Sequence, residues 1–134
     1  IPNAYGYVNF GDGVIFASAA IMGTFAAIAA GLGSALADLI ASYTIYMPAT
    51  FLIKGCMGLL AGFFLQRHLR MRWFMQLLLF ALCEVIMIGG YFAFEWMIYG
   101  FQTALAAVVA NALQGAAGVA MGMVIVPLAR RIKA

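Results

Sequence analysis

Apolar residues fill this chain in long runs, which short clusters of polar residues, glycine and proline interrupt. Five runs predict helices, at about 12–30, 34–45, 49–65, 73–98 and 101–128. A helix needs roughly 20 apolar residues to cross the hydrocarbon core of a bilayer, so the second run is short for a full crossing. The pattern predicts an all-α membrane bundle in which residues 1–134 form a single transmembrane domain.

The breaks between the first three runs carry ordinary helix signals. Asp12 is placed to cap the first helix at its N-terminus. The Gly-Leu-Gly sequence at 31–33 predicts the end of that helix, and residues 43–48, which end in Pro48, predict a loop before the third helix.

Basic residues set the predicted topology. They form two clusters, one after the third run and one after the fifth: Arg67, His68, Arg70 and Arg72, then Arg130, Arg131 and Lys133. Two spans separate the clusters, so both fall on one side of the membrane, and the positive-inside rule makes that side and the C-terminus cytoplasmic. The N-terminus then lies outside, so we expect a further helix before Ile1, for six spans in all.

Composition excludes several classes of protein. The chain is 67% hydrophobic and 8% charged, whereas soluble domains carry about a quarter charged residues. The net charge of +3 does not indicate nucleic-acid binding, because the basic residues form membrane-flanking clusters rather than a solvated face. Cys56 and Cys83 lie inside apolar runs without a CxxC motif, so no metal site or disulfide is predicted.

Ionisable residues at membrane depth are costly and therefore indicate function. Asp38 and Lys54 lie eight residues to either side of Tyr46, on neighbouring helices of opposite direction. Both are then roughly 10 Å below the outer end of the bundle. They are predicted to form a structural ion pair, and a contact with a ligand is the alternative.

A second polar group lies on the last two helices. Glu84 and Glu95 are eleven residues apart, which is about three turns, and Tyr91 lies between them on a similar face. Asn111 and Gln114 are three residues apart on the fifth helix. These side chains predict a polar cavity that opens to the outside, although hydrogen bonding between helices would also explain the two amides.

No catalytic residue is predicted. His68 is the single histidine and lies in a predicted cytoplasmic loop, without an evident nucleophile. Glu84 and Glu95 would be roughly 16 Å apart along a helix, whereas a retaining glycosidase needs its two carboxyl groups about 5 Å apart.

Small residues form a stripe on the first helix that includes Ala19, Gly23 and Ala27. Such a stripe lets two helices approach closely. It serves either packing inside the protein or contact with another membrane subunit.

Several segments together resemble a known family. They are YVNFGD at 7–12, GSALAD at 33–38, IKG at 53–55 and GLLAG at 58–62, with Gly90, Tyr91, Glu95, Asn111, Gln114 and Gly118 later in the chain. The sequence resembles the substrate-specific (S) subunits of energy-coupling-factor (ECF) vitamin transporters. It is most similar to the branch with riboflavin-, hydroxymethylpyrimidine- and pyridoxine-type subunits.

The resemblance implies a six-helix fold in a bacterial plasma membrane, with a pocket near the outer face. The implied partners are a transmembrane coupling subunit and two cytoplasmic ATPases, which use the ATP and Mg; this subunit needs no cofactor and is not an enzyme. Ala19, Gly23 and Ala27 are candidates for contact with the coupling subunit. The predicted substrate-binding residues are Asn9, Tyr46, Glu84, Tyr91, Glu95, Trp96, Asn111 and Gln114.

The polar groups favour a small heteroaromatic ligand that stacks on Tyr91 and Trp96 and binds carboxylates. Hydroxymethylpyrimidine or pyridoxine is the first choice, and riboflavin is the alternative. A small channel or ion-coupled transporter is the competing class, with Asp38, Lys54 and Glu84 in an ion path. A membrane subunit that only packs against others is the third.

Overall fold

The computed structural model describes residues 2–3, 6–7, 11–68 and 70–133. Two short strands, β1 (Pro2–Asn3) and β2 (Gly6–Tyr7), pair in antiparallel fashion. In the described residues, the helices that follow are α1 (Gly11–Met22), α2 (Ala26–Ile40), α3 (Met47–Arg67), α4 (Trp73–Tyr99) and α5 (Phe101–Lys133). Short 3₁₀ turns, Gly23–Phe25 and Thr44–Tyr46, precede α2 and α3.

The predicted helical membrane bundle is confirmed. Within the described residues, four stretches are by length and composition apolar enough to cross a bilayer: Gly11–Ile40, Thr44–Arg67, Trp73–Tyr99 and Phe101–Ile132. Large apolar side chains such as Ile40, Met97 and Ile132 are more than 80% exposed, as expected of a surface whose solvent is lipid. A sixth helix before Ile1 stays a prediction.

The first of these stretches doubles back on itself. Asp12 forms an ion pair with Lys54, and Gly23 lies against Gly62, so α1 runs parallel to α3. In contrast, α2 runs antiparallel to α3, because its start at Ala26 contacts Gly58 and its middle at Gly31 contacts Phe51. The helices α1 and α2 therefore form a hairpin that packs against α3.

The hairpin turns at Gly23, so the break predicted at 31–33 is wrong. Gly23 has a φ of +62°, in the left-handed region that favours glycine. Gly31 lies within α2 instead, where its lack of a side chain admits the backbone carbonyl of Phe51, 3.0 Å from the position that a Cβ would take. The two predicted helices exist, but the first ends eight residues earlier than its predicted end at residue 30.

Glycines on α3 let the hairpin approach its backbone directly. A Cβ on Gly62 would overlap the carbonyl group of Gly23, and a Cβ on Gly58 would lie 2.7 Å from the carbonyl oxygen of Ala26. Side chains of the small-residue stripe are therefore used within the subunit. Ala19 is fully buried and Gly23 is buried inside the bundle, and their contact with the coupling subunit stays a prediction. Ala27 is half-buried beside Gly58.

Arg130 joins the two basic clusters at one end of the bundle. Its guanidinium donates hydrogen bonds from α5 to the backbone carbonyls of Leu65, at 3.0 Å, and His68, at 3.1 Å. These carbonyls lie at the C-terminal end of α3, where helical acceptors lack intrahelical partners. The predicted placement of both clusters on one side is confirmed, and the assignment of that side to the cytoplasm stays a prediction.

We expect Gly62→Ala to destabilise the protein and Gly33→Ala not to. Both glycines are helical, and alanine favours a helix by about 1 kcal/mol over glycine. A methyl group at position 62 overlaps backbone atoms, whereas nothing lies within 4 Å of the position at 33. Overpacking of this kind costs about 1–3 kcal/mol. Thermal unfolding in detergent, followed by tryptophan fluorescence, measures the difference; equal melting temperatures in the two variants would contradict the close approach.

Candidate functional site

All four acidic residues of the chain are buried. Asp12, Asp38, Glu84 and Glu95 are each at most 4% exposed, and Lys54 is 2% exposed among them. Charges at membrane depth are stable only with partners or with a ligand, so the arrangement of these five residues defines the candidate site.

An ion pair between α1 and α3 lies at the centre of this site. The Lys54 ammonium is 2.5 Å from Asp12 Oδ1, and both side chains are almost completely buried. The second oxygen, Asp12 Oδ2, accepts a hydrogen bond of 3.1 Å from the Gln114 amide on α5. Three helices are thus joined through a single carboxylate.

The partner of Lys54 in this ion pair is Asp12, and not Asp38 as predicted from the sequence. The helix α1 is 12 residues long and starts beside Lys54, part-way along α3, rather than at the outer end of the bundle. Asp12 therefore lies at membrane depth, and it is more than a helix cap. One short helix, α1, separates Asp12 from the turn at Gly23, and this short distance places Asp12 at membrane depth. A turn at 31–33 instead predicts Asp12 at the outer end of the bundle.

Glu84 lies next to the ion pair, in a space made by glycines of α5. A Cβ on Gly118 would overlap the Glu84 carboxylate and lie 2.8 Å from Asp12 Cβ, and one on Gly115 would be 3.2 Å from Glu84 Cβ. Neither carboxylate oxygen of Glu84 has a hydrogen-bond partner among the described residues. The side chains of Glu84 and Asp12 thus lie close to the same glycine of α5, and Glu84 keeps its capacity to accept hydrogen bonds.

A second polar group lies nearer the outer end. The Tyr46 hydroxyl donates a hydrogen bond of 3.1 Å to Glu95 Oε1, and the hydroxyls of Tyr91 and Thr50 are 2.8 Å apart. Glu95 Oε2 is buried and has no hydrogen-bond partner among the described residues. The Lys54 ammonium lies 5.8 Å from the centre of the Tyr91 ring, within cation–π range, and so connects the two groups.

The structure places the predicted substrate-binding residues in different surroundings. Tyr46, Glu84, Tyr91, Glu95 and Gln114 all belong to these two polar groups. Asn111 is half-buried, one turn from Gln114.

Two further predicted residues do not join these groups. Trp96 is 53% exposed and packs edge-on against Phe92 and Phe101, and its stacking against a ligand stays a prediction. Asn9 lies outside the described residues.

An open groove of about 300 Å³ lies elsewhere, between α1 and α2. Small or apolar residues line it, including Gly11 and Ser18 on α1 and Gly33 and Ala37 on α2. None of the predicted substrate-binding residues that the structure describes lines it. The groove is therefore distinct from the polar site.

Comparison with known proteins now decides the family. A family model described as the ECF-type riboflavin transporter S component matches residues 1–132. The chain belongs to this S-component family. It is a multi-pass membrane protein of vitamin or precursor transport, and S components are not enzymes.

Two relatives are similar to this S component, and the first of them supports the assignment. It is 36% identical over 106 residues to the thiamine precursor transporter HmpT of Lactococcus lactis, a match that covers 79% of this chain and 58% of HmpT. It is 33% identical over 124 residues to an uncharacterized protein in the gap 3′ region of Pyrococcus woesei, covering 91% of this chain and 81% of that protein. No solved structure matches the S component with significance.

We expect Asp12→Ala to destabilise this S component more than the double change Asp12→Ala with Lys54→Met. Removal of one partner leaves a buried charge uncompensated, at a cost of about 3–5 kcal/mol, whereas removal of both charges avoids that cost. A double-mutant cycle of thermal or denaturant unfolding measures the coupling.

Arg72, which is exposed at the basic end, provides the control. The cycle of Asp12→Ala with Arg72→Ala is expected to be additive, because the two sites do not share a partner. Additivity in the Asp12 and Lys54 cycle would contradict the ion pair.

Proposed function

We propose that this S component captures a small heteroaromatic vitamin precursor from outside the cell, with hydroxymethylpyrimidine as first choice, for ATP-driven uptake. The binding site is the interior between α3, α4 and α5, where the groups around Glu84 and Glu95 lie. The observation that carries the proposal is a set of buried carboxylate oxygens without hydrogen-bond partners among the described residues. In a membrane interior such acceptors favour a ligand that donates hydrogen bonds.

An aminopyrimidine has the matching chemistry. Its exocyclic amine donates hydrogen bonds, and a protonated ring nitrogen beside it would make a bidentate pair with a carboxylate. Glu84 offers two such acceptor oxygens, and Glu95 offers one near the outer end. The aromatic rings of Tyr46 and Tyr91, 6.3 Å apart, offer faces on which a flat ring can stack.

The relative HmpT supports the same choice, because it is a thiamine precursor transporter. Hydroxymethylpyrimidine is the pyrimidine precursor of thiamine, and pyridoxine is a ring of similar size with hydroxyl donors. Asn111 and Asn9 belong to the proposal as additional contacts with the ligand.

Riboflavin is the second candidate, since the matching family model is that of riboflavin transporters. Its flat ring system carries ring acceptors that suit the Lys54 ammonium, and its hydroxyl chain suits amide and hydroxyl partners such as Gln114 and Thr50. Direct binding of the two ligands distinguishes the candidates.

The energy for uptake comes from partners in this proposal. A transmembrane coupling subunit of the EcfT type binds the S component, and two cytoplasmic ATPases hydrolyse ATP with Mg. The basic end of the bundle then faces the cytoplasm together with the C-terminus, and the Tyr46 end faces outward.

We expect Glu84→Gln to weaken hydroxymethylpyrimidine binding by about tenfold or more, because a charge-assisted hydrogen bond contributes about 1.5–3 kcal/mol. Calorimetric titration of the purified wild type and variant with hydroxymethylpyrimidine, pyridoxine and riboflavin measures the dissociation constants. The matched control is Gln76→Leu, a buried polar residue of the same helix that lies toward the basic end and contacts Met123. Its affinity is expected to equal that of the wild type.

Two results would contradict the proposal. Wild-type protein that is folded and binds none of the three ligands would exclude capture of these vitamins. Unchanged affinity in Glu84→Gln would exclude the carboxylate as a ligand contact. A channel or ion-coupled transporter would instead show ion flux in vesicles without partner subunits.

Gly118→Ala gives a second test that removes no polar group. The added methyl group overlaps the Glu84 carboxylate, so Glu84 must move. We expect binding to weaken severalfold. Gly89→Ala on α4 is the control, since nothing lies within 4 Å of its added Cβ. Equal ligand affinity in the two variants would show that binding does not depend on the position of the Glu84 carboxylate.

A further inference from the structure

Exposed arginines gather at the end of the bundle where α3 and α5 terminate. Arg67 ends α3, Arg70 and Arg72 lie in the connection to α4, and Arg131 follows Arg130 on α5; these four side chains are exposed. The hydrogen bonds from Arg130 to Leu65 and His68 hold α5 against this connection. A single patch of positive charge results, here called the arginine patch: Arg67, Arg70, Arg72 and Arg131.

Acidic residues do not balance this charge. The four acids of the sequence are at positions 12, 38, 84 and 95, and all are buried. Glu84 is eleven residues from the start of α4, which is roughly 16 Å along the helix. That separation is far beyond the reach of a salt bridge, so among the described residues no acidic side chain neutralises the arginine patch.

Aromatic residues place the patch at the level of lipid headgroups. Trp73 and Phe74 begin α4 immediately after Arg72 and are 69% and 53% exposed. Exposed tryptophan at a helix end lies at the membrane–water boundary, where phosphate groups are concentrated. The Arg67 guanidinium stays beside the Phe63 ring, 4.7 Å from its centre, so it is held close to the apolar surface.

We propose that the arginine patch binds the phosphate headgroup of an anionic phospholipid such as phosphatidylglycerol. Guanidinium groups bind phosphate oxygens in pairs of parallel hydrogen bonds, which gives arginine an advantage over lysine for this ligand. The lipid's acyl chains then lie along the exposed apolar faces of α3 and α4. The site lies at the opposite end of the bundle from Glu95 and is independent of the proposed vitamin site.

The experiment compares lipids of different headgroup charge. Purified protein in a neutral detergent is melted with increasing phosphatidylglycerol, phosphatidylcholine or inorganic phosphate. We expect phosphatidylglycerol to raise the melting temperature by several degrees, and the other two to have little effect. Native mass spectrometry gives the affinity of the bound lipid directly.

The variant Arg70→Gln with Arg72→Gln is expected to weaken phosphatidylglycerol binding by about tenfold or more, since each basic residue near an anionic surface contributes roughly fivefold. Arg130→Gln is the control. It removes the bonds to Leu65 and His68 and lowers the melting temperature in every lipid, but the stabilisation by phosphatidylglycerol remains.

Three outcomes would overturn the proposal. Equal stabilisation by phosphatidylcholine would show that the acyl chains, and not the headgroup charge, are recognised. Equal stabilisation by inorganic phosphate would identify a general anion site. Undiminished phosphatidylglycerol binding by the double variant would exclude the patch. If that variant fails to fold, loss of the wild-type lipid effect at high salt supports the proposal, and its persistence contradicts it.

Discussion

The ion pair between Asp12 and Lys54 is the constraint on which the arrangement of this bundle depends. Both side chains are almost fully buried in a protein whose outer solvent is lipid, so neither charge is stable without the other. The pair fixes the start of α1 beside the middle of α3, and the bond from Gln114 to the same carboxylate adds α5. Because Asp12 is occupied in this way, the carboxylate beside it whose oxygens have no hydrogen-bond partner among the described residues is Glu84, the proposed ligand contact.

Glycine makes this arrangement sterically possible. The left-handed turn at Gly23 folds α1 and α2 into a hairpin, and Gly58 and Gly62 let that hairpin touch the backbone of α3. Without such close approach, α1 could not bring Asp12 within reach of Lys54 while α2 packs on the other side. Packing of small residues and polar bonding between helices therefore act together, as expected where lipid provides no hydrophobic drive for helix association.

Much of this organisation follows from the sequence, because long apolar runs and flanking arginines are strong signals. The helices, the shared end of both basic clusters and the burial of Glu84, Glu95 and Gln114 were all predicted. The partner of Lys54 was not, since three glycines offer plausible turns in residues 23–33 and local sequence does not rank them. The difference between buried Glu95 and its exposed neighbour Trp96 also depends on tertiary packing, which sets the rotation of α4 about its axis.

The close packing of Glu84 against Gly115 and Gly118 also restricts movement of α4 relative to α5. A shift of α5 by one residue along α4, together with the rotation of about 100° per residue of a helix, would bring Ala117 or Val119 to the place of Gly118 and drive a methyl group into the carboxylate. This steric clash opposes sliding of α5 along α4 by one residue. We therefore expect α4 and α5 to move as one rigid body, with adjustment confined to their contacts with the remaining helices.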